Sequence, residues 1–256
     1  MGTGHQHSGT LHVHGHSVVH ELPAETKIVA TVAFVFAVVA TPRTAMWAFA
    51  LHAALILGVA ASAGIKPLTV LRRLVVEAPF VAFAVFLPLI GRGERVSFLG
   101  LSLSQQGLWA AWNILAKGTL GVAAATVLAA TTSVRDILLG LERLRMPRVL
   151  VQICSFMVRY GEVMANEMGR MKIARQSRGH DPRWIWQARA VATSAGALFI
   201  RSFERGERVY VAMQSRGYTG SMPETDVCRA AGADWGTAAL LPLAAVVVVV
   251  LGWVLA

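Results

Sequence analysis

Two arginines close the same four-residue phrase. Gln176-Ser177-Arg178-Gly179 recurs as Gln214-Ser215-Arg216-Gly217, and the match extends back to Ala174 with Ala212 and to Arg170 with Arg208, at a constant offset of 38 residues. Such self-similarity marks a structural unit used twice. An arginine carries a rigid fork of donors that pairs bidentately with a carboxylate. The glycine after it suits the left-handed residue just past a helix end, and a cation there complements the helix dipole. A lone capping arginine is worth only about 0.3–1 kcal/mol. Two copies of the whole phrase point instead to docking on a partner with two equivalent sockets. The expected partner-binding residues are Ala174, Gln176, Ser177, Arg178, Gly179, Ala212, Gln214, Ser215, Arg216 and Gly217.

The second group with chemical potential is the histidine set His5, His7, His12, His14, His16 and His20. Neutral imidazole binds Ni, Co, Cu and Zn. Spacings of two put alternate rings on one side of an extended chain, which permits chelation without specifying a site. A solvated tail explains them equally, so no metal ligand and no cofactor is assigned. The two cysteines, Cys154 and Cys228, are read as small side chains and not as a disulfide framework. The chain has no phosphate-cradling Gly-x-x-x-x-Gly-Lys-Ser/Thr loop, zincin motif, nucleophile elbow or Cys–His set. It is therefore read as non-catalytic, and nucleic acid is not an expected partner.

The elements that position the two tips belong to a membrane protein. The chain is 55% hydrophobic and 15% charged, far from a soluble balance. Runs nearly free of charge cover 28–40, 45–64, 75–90, 108–130 and 238–256. A spanning helix needs about 20 apolar residues, with ~17 as a lower limit. The second, fourth and last runs meet that alone. The first is short, and the third is interrupted by Pro79 and Pro88. About five spans are expected. The N-terminus lacks the basic region of a secretory signal. Of the 24 Lys and Arg, 16 lie between Arg135 and Arg229, and Lys66, Arg72 and Arg73 follow the second run. By the positive-inside bias both segments are cytoplasmic. The N-terminus is then cytoplasmic too, the 41–44 turn and the 91–104 loop lie outside, and the C-terminus ends outside.

The charged stretch reads as three amphipathic helices. The first opens at Ser133-Val134-Arg135-Asp136, a capping-box pattern, and carries Val134, Ile137, Leu138, Leu141 and Leu144 as a stripe ending before Pro147. The second places Val149, Ile153, Phe156, Tyr160, Met164, Met168 and Met171 at spacings of three and four. Its length is about 30 residues, or ~45 Å. The third runs from about Ala197 to Arg216, with Phe199, Phe203, Tyr210 and Met213 on one side. Glu204 and Arg208 on the other side are spaced to pair. Basic residues would hold this layer against anionic headgroups, and Trp184-Ile185-Trp186 beside Arg183 suits the interface.

Ionisable groups in the apolar runs are few: His52, Glu77 and Lys117, with Asn113 as a further polar group. They are read as interhelical hydrogen-bonders or snorkelling ends, since they form no ion relay of the kind a substrate path uses and the chain shows no inverted repeat of broken helices.

Taken together the residues resemble the transmembrane component of energy-coupling factor (ECF) transporters, cobalt/nickel type. The likeness runs through Val13-His14-Gly15-His16-Ser17, Leu22-Pro23, Lys27, Thr131-Thr132-Ser133 with Asp136, Pro147, Arg159-Tyr160, Arg201-Ser202-Phe203-Glu204-Arg205 and the two Ser-Arg-Gly endings. The family has Ala or Ser at the first place of those endings. The resemblance implies an all-α integral membrane protein with about five transmembrane helices and a cytoplasmic arm of coupling helices. It implies a His-rich cytoplasmic tail at 1–26, transmembrane helices at 27–132, a coupling domain at 133–234 and a final span at 235–256. It further implies two ABC-type ATPase subunits as partners, a separate substrate-binding membrane subunit, and cobalt or nickel as cargo. A stand-alone secondary cation transporter and a membrane scaffold without transport role are the alternatives.

Overall fold

The computed structural model describes residues 17–65, 67–91, 95–98, 101–179, 188–220 and 230–255. The expected features at His5, His7, His12, His14, His16, Arg183, Trp184, Ile185, Trp186 and Cys228 lie outside them. The chain divides into two compact units, one of residues up to Leu144 together with Cys228–Ala256, the other Arg145–Val227.

The first unit is helical: α1 (Val18–Glu21), α2 (Ala24–Ala40), α3 (Met46–Ser62), α4 (Pro67–Arg73), α5 (Ala78–Ile90), α6 (Gln105–Thr131), α7 (Val134–Arg143) and α10 (Gly232–Val254). Its core joins Phe34 and Val38 of α2, Phe49 and Ile56 of α3, Leu120, Ala124 and Val127 of α6, and Ala245 of α10. Small residues such as Ala48, Ala124, Ala130 and Ala245, all almost fully buried, let helix backbones approach as membrane helices require. An all-α membrane architecture follows. Among the described residues three stretches are long and apolar enough to cross a bilayer, Leu68–Ile90, Gln105–Thr131 and Gly232–Val254, with Met46–Ser62 a shorter apolar helix.

Of the 45–64 and 75–90 runs, both expected as spans, the one interrupted by prolines belongs to the longer apolar stretch. The former yields only the 17 residues of α3, because Gly64 turns left-handed at φ 67°. Gly64 N–H then reaches Ala61 O, and Ile65 N–H reaches Ala60 O, at 2.9 Å each, the paired bonds of a Schellman stop. The latter is continuous with α4 across a 3₁₀ turn at Leu74–Glu77. Pro79 has no N–H for the Val75 carbonyl. Tightening the turn lets Ala78 N–H take that carbonyl instead. Pro88, in the last turn of α5, is likewise absorbed. The 91–104 segment contains a hairpin, β1 (Arg95–Phe98) antiparallel to β2 (Leu101–Ser104).

The end of α2 shows how polar groups in this unit are spent. Its last four carbonyls have no partner within the helix. Thr41 Oγ1 donates to Ala37 O at 3.1 Å and Thr41 N–H to Val38 O at 3.2 Å. Lys117 Nζ of α6 donates to Val39 O at 2.7 Å, and Trp253 Nε1 of α10 to Ala40 O at 3.1 Å. In return Lys27 Nζ of α2 donates to Thr131 O, the last carbonyl of α6, at 3.1 Å and to His20 O at 3.0 Å. The antiparallel helices α2 and α6 thus each carry a lysine that caps the other's C-terminus. Buried His52 lies 3.1 Å from Thr41 Oγ1 through Nε2 and stands edge-on to Phe34. Buried Glu77 accepts from Thr119 Oγ1 at 3.2 Å.

The second unit is one antiparallel pair, α8 (Arg148–Ser177) and α9 (Ala188–Gln214). α8 has the 30 residues its stripe predicts. α9 begins nine residues before the expected Ala197, because the Ala188–Gln214 helix opens with Ala, Val, Thr and Ser and continues through Gly196. These are small or β-branched residues that show no period. α7 is capped at Ser133, whose Oγ accepts from Asp136 N–H at 3.2 Å. Asp136 Oδ2 accepts a hydrogen bond from the Ser133 hydroxyl at 2.6 Å instead of completing a reciprocal box.

Candidate coupling site

The two Ser-Arg-Gly phrases are the ends of α8 and α9. Arg178 is the C-cap of α8, and Gly179 follows at φ 76° with its N–H on Gln176 O at 2.9 Å. At the end of α9, Gly217 stands at φ 83°. Its N–H reaches Gln214 O and Tyr218 N–H reaches Met213 O, both at 3.0 Å. The second tip is therefore a complete Schellman stop, and the first shows the same left-handed glycine and the same inner bond. The serines bond within their own helices, Ser177 Oγ to Ile173 O at 2.7 Å and Ser215 Oγ to Ala212 O at 2.9 Å. Arg178 and Arg216 are both exposed at these ends.

All ten expected residues, Ala174, Gln176, Ser177, Arg178, Gly179, Ala212, Gln214, Ser215, Arg216 and Gly217, are exposed. A Cβ on either glycine would meet nothing within 4 Å. The glycines are needed for their backbone angle and not for room.

What holds the tips is a ladder of polar contacts along the helix pair. Arg175 Nη1 donates to Ser194 Oγ at 2.8 Å. Arg201 Nη1 meets Glu167 Oε1 at 2.9 Å. Tyr218 Oη donates to Gln152 Oε1 at 3.0 Å, and Gln152 Nε2 to Gly220 O at 3.2 Å. From Arg175, successive steps of 8 and 15 residues back along the chain to Glu167 and Gln152 are matched by steps of 7 and 17 forward from Ser194 to Arg201 and Tyr218, so the helices run antiparallel in nearly one register. The tips consequently lie at opposite ends of the pair, about 40 Å apart at the helical rise of ~1.5 Å per residue.

Sequence reasoning missed this ladder. Glu204 and Arg208, the pair it favoured, form no ion pair among the described residues, whereas Arg201 reaches across to α8. Gln152 was legible as a lone amide beside Ile153 on an apolar stripe. Glu167 carried no such signal.

Apolar surface remains outside the tips. Ile153, Met157, Val158 and Ile173 on α8, and Phe199, Ile200, Phe203 and Val211 on α9, are all exposed within this unit, an extent that marks interaction surface. Among the described residues no group of three or more His, Cys, Asp or Glu could hold a metal ion. His20, the one described histidine of the N-terminal set, shares a hydrogen bond with Ser17 Oγ at 2.8 Å through Nδ1.

A family model described as "Cobalt transport protein", CbiQ, matches residues 15–226. The energy-coupling factor transporter transmembrane protein EcfT of Brevibacillus brevis is 25% identical over 263 residues, covering 94% of this chain and 96% of that one. The protein of the same name from Thermanaerovibrio acidaminovorans is 29% identical over 225 residues, 82% of each chain. The cobalt transport protein CbiQ of Rhodobacter capsulatus is 31% identical over 124 residues, 48% of this chain and 50% of that protein. The chain spans half or less of the length of several curated relatives that it matches.

Proposed function

The chain belongs to the cobalt transport protein family CbiQ, and from that premise we propose that it is the transmembrane coupling subunit of an ECF-type ABC importer. It binds two ABC-type ATPase subunits through Arg178 and Arg216, one at each tip, and passes their motion to a separate membrane subunit that captures the cargo, cobalt or nickel ions. The observation that carries the reading is the pair of equivalent, exposed arginine tips at opposite ends of one helix pair. A single partner would need one such tip. Two tips about 40 Å apart suit two copies of one partner.

The chemistry at each tip is recognition and not catalysis. A left-handed glycine stops the helix, the arginine stands where the dipole favours a cation, and its fork matches a carboxylate in a groove. When the ATPases close on ATP the grooves carry the tips with them. α8 and α9, continuous over 30 and 27 residues, transmit that displacement. In this reading the segment 133–234 and the N-terminus are cytoplasmic, and the segments 27–132 and 235–256 lie in the membrane. ATP is hydrolysed by the partners.

Reconstitution tests this. Proteoliposomes holding this chain, the two ATPases and the capture subunit should take up cobalt only with ATP and only when all are present. The isolated chain should hydrolyse no ATP above background. Cobalt uptake by this chain alone, without ATP, would establish the stand-alone cation transporter instead.

A further inference from the structure

The segment Arg145–Val227 leaves the first unit after Leu144 and returns to it at Cys228. One carboxylate meets both crossing points. Glu25, in the first turn of α2, is 8% exposed. Its Oε1 accepts the backbone N–H of Ala230 at 2.9 Å and lies 3.9 Å from Arg143 Nη1. Arg143 is the last residue of α7, just before the excursion begins, and Ala230 stands just after it ends. Gly140, one turn earlier on α7, lies so close to this spot that a Cβ there would be 3.0 Å from Glu25 N and 3.1 Å from Ala24 Cβ.

A buried carboxylate must be paired and hydrogen-bonded to be tolerated. Here its partners come from the outgoing root, the returning root and the positive end of the α2 dipole. In the proposed coupling, a displacement delivered to the arm passes along the chain through these roots. Roots free to slide separately would absorb it, whereas roots held at one point pass it on.

We propose that Glu25 is the positioning residue that clamps both roots of the arm to the N-terminus of α2, so that the arm transmits motion as one body. The inference rests on the reading of 133–234 as the coupling element.

Two arms test it. In the full-length chain with Cys154→Ser and Cys228→Ser, nitroxides are placed at Leu144→Cys and Ala231→Cys in lipid nanodiscs. The unsubstituted clamp should give strong dipolar broadening. Glu25→Ala should lose it, and Glu25→Gln, which keeps an acceptor for Ala230 but not the charge for Arg143, should lose part of it. Broadening that survives Glu25→Ala overturns the proposal, and if that variant does not fold the same judgement is made on Glu25→Gln. In the assembled complex, Glu25→Gln should keep ATP hydrolysis and lose cobalt uptake per ATP hydrolysed. A purely structural role would lower both together with complex recovery, and unchanged uptake per ATP also overturns the proposal. If the complex with native Glu25 shows no ATP-driven uptake, the coupling reading itself fails, and the nitroxide result still decides whether Glu25 clamps the roots.

Discussion

Gly179 and Gly217 stand at φ 76° and 83° with open space where a side chain would go. Their substitution is therefore a purely conformational test. A left-handed residue with a Cβ costs about 1–2 kcal/mol, and asparagine, which visits that region more readily, costs less. Gly217→Ala should loosen the tip, seen as faster amide exchange at Arg216, Gly217 and Tyr218. Gly217→Asn should do so less, and Gly217→Val more. Equal exchange in all three would mean that the Schellman bonds at Gln214 and Met213 do not shape the tip. These glycines were legible in the sequence because the repeat and the cap share one local signature. Glu25 was not. Its partners Arg143 and Ala230 lie 118 and 205 positions away, and nothing local to an acidic first turn announces distant contacts.

At the scale of elements, the sequence reads well where one force dominates. The three- and four-residue spacing of α8 gave its length, because a narrow apolar stripe is set by helix geometry alone. The start of α9 was hidden by its small residues, which carry no period. The 75–90 run was misjudged because its prolines do not break the helix: the 3₁₀ turn supplies the missing bond at Val75. The α2–α7 contact offers the sharpest test at this scale. A Cβ at Gly140 would stand 3.0 Å from the Glu25 backbone N and 3.1 Å from the Ala24 carbonyl C and Cβ, so no flexible side-chain end can yield. Gly140→Leu should push α7 off α2, at a cost of about 1–3 kcal/mol typical of overpacking. The readout is faster trypsin cleavage at Arg143 and Arg145 in the folded, membrane-inserted chain. Gly121→Leu, where a Cβ meets nothing within 4 Å, should leave cleavage unchanged.

At the scale of the whole molecule, composition and charge bias identify a membrane protein, and the family match covers residues 15–226. The proposed orientation, with the N-terminus cytoplasmic, rests on the positive-inside argument and yields a prediction about the histidines. A tail on the cytoplasmic face cannot be the outer capture site of an importer. Deletion of residues 2–20 should leave ATP-driven uptake at low external cobalt largely intact, and Ser8→Cys should label only from the cytoplasmic side. Labelling from outside would invert the topology. Loss of uptake with normal assembly and cytoplasmic labelling would make the tail a required site. The central claim, however, is that the two arginine tips are equivalent docking points. Hydrogen bonds to charged groups are worth about 1.5–3 kcal/mol each, so either tip alone retains part of the binding. The measurement is recovery of the ATPase subunits with detergent-solubilised chain bearing Arg178→Ala, Arg216→Ala or both. The account predicts partial loss for each single variant and near-complete loss for the double variant, with cobalt uptake abolished. Full ATPase recovery and normal uptake in the double variant would contradict it.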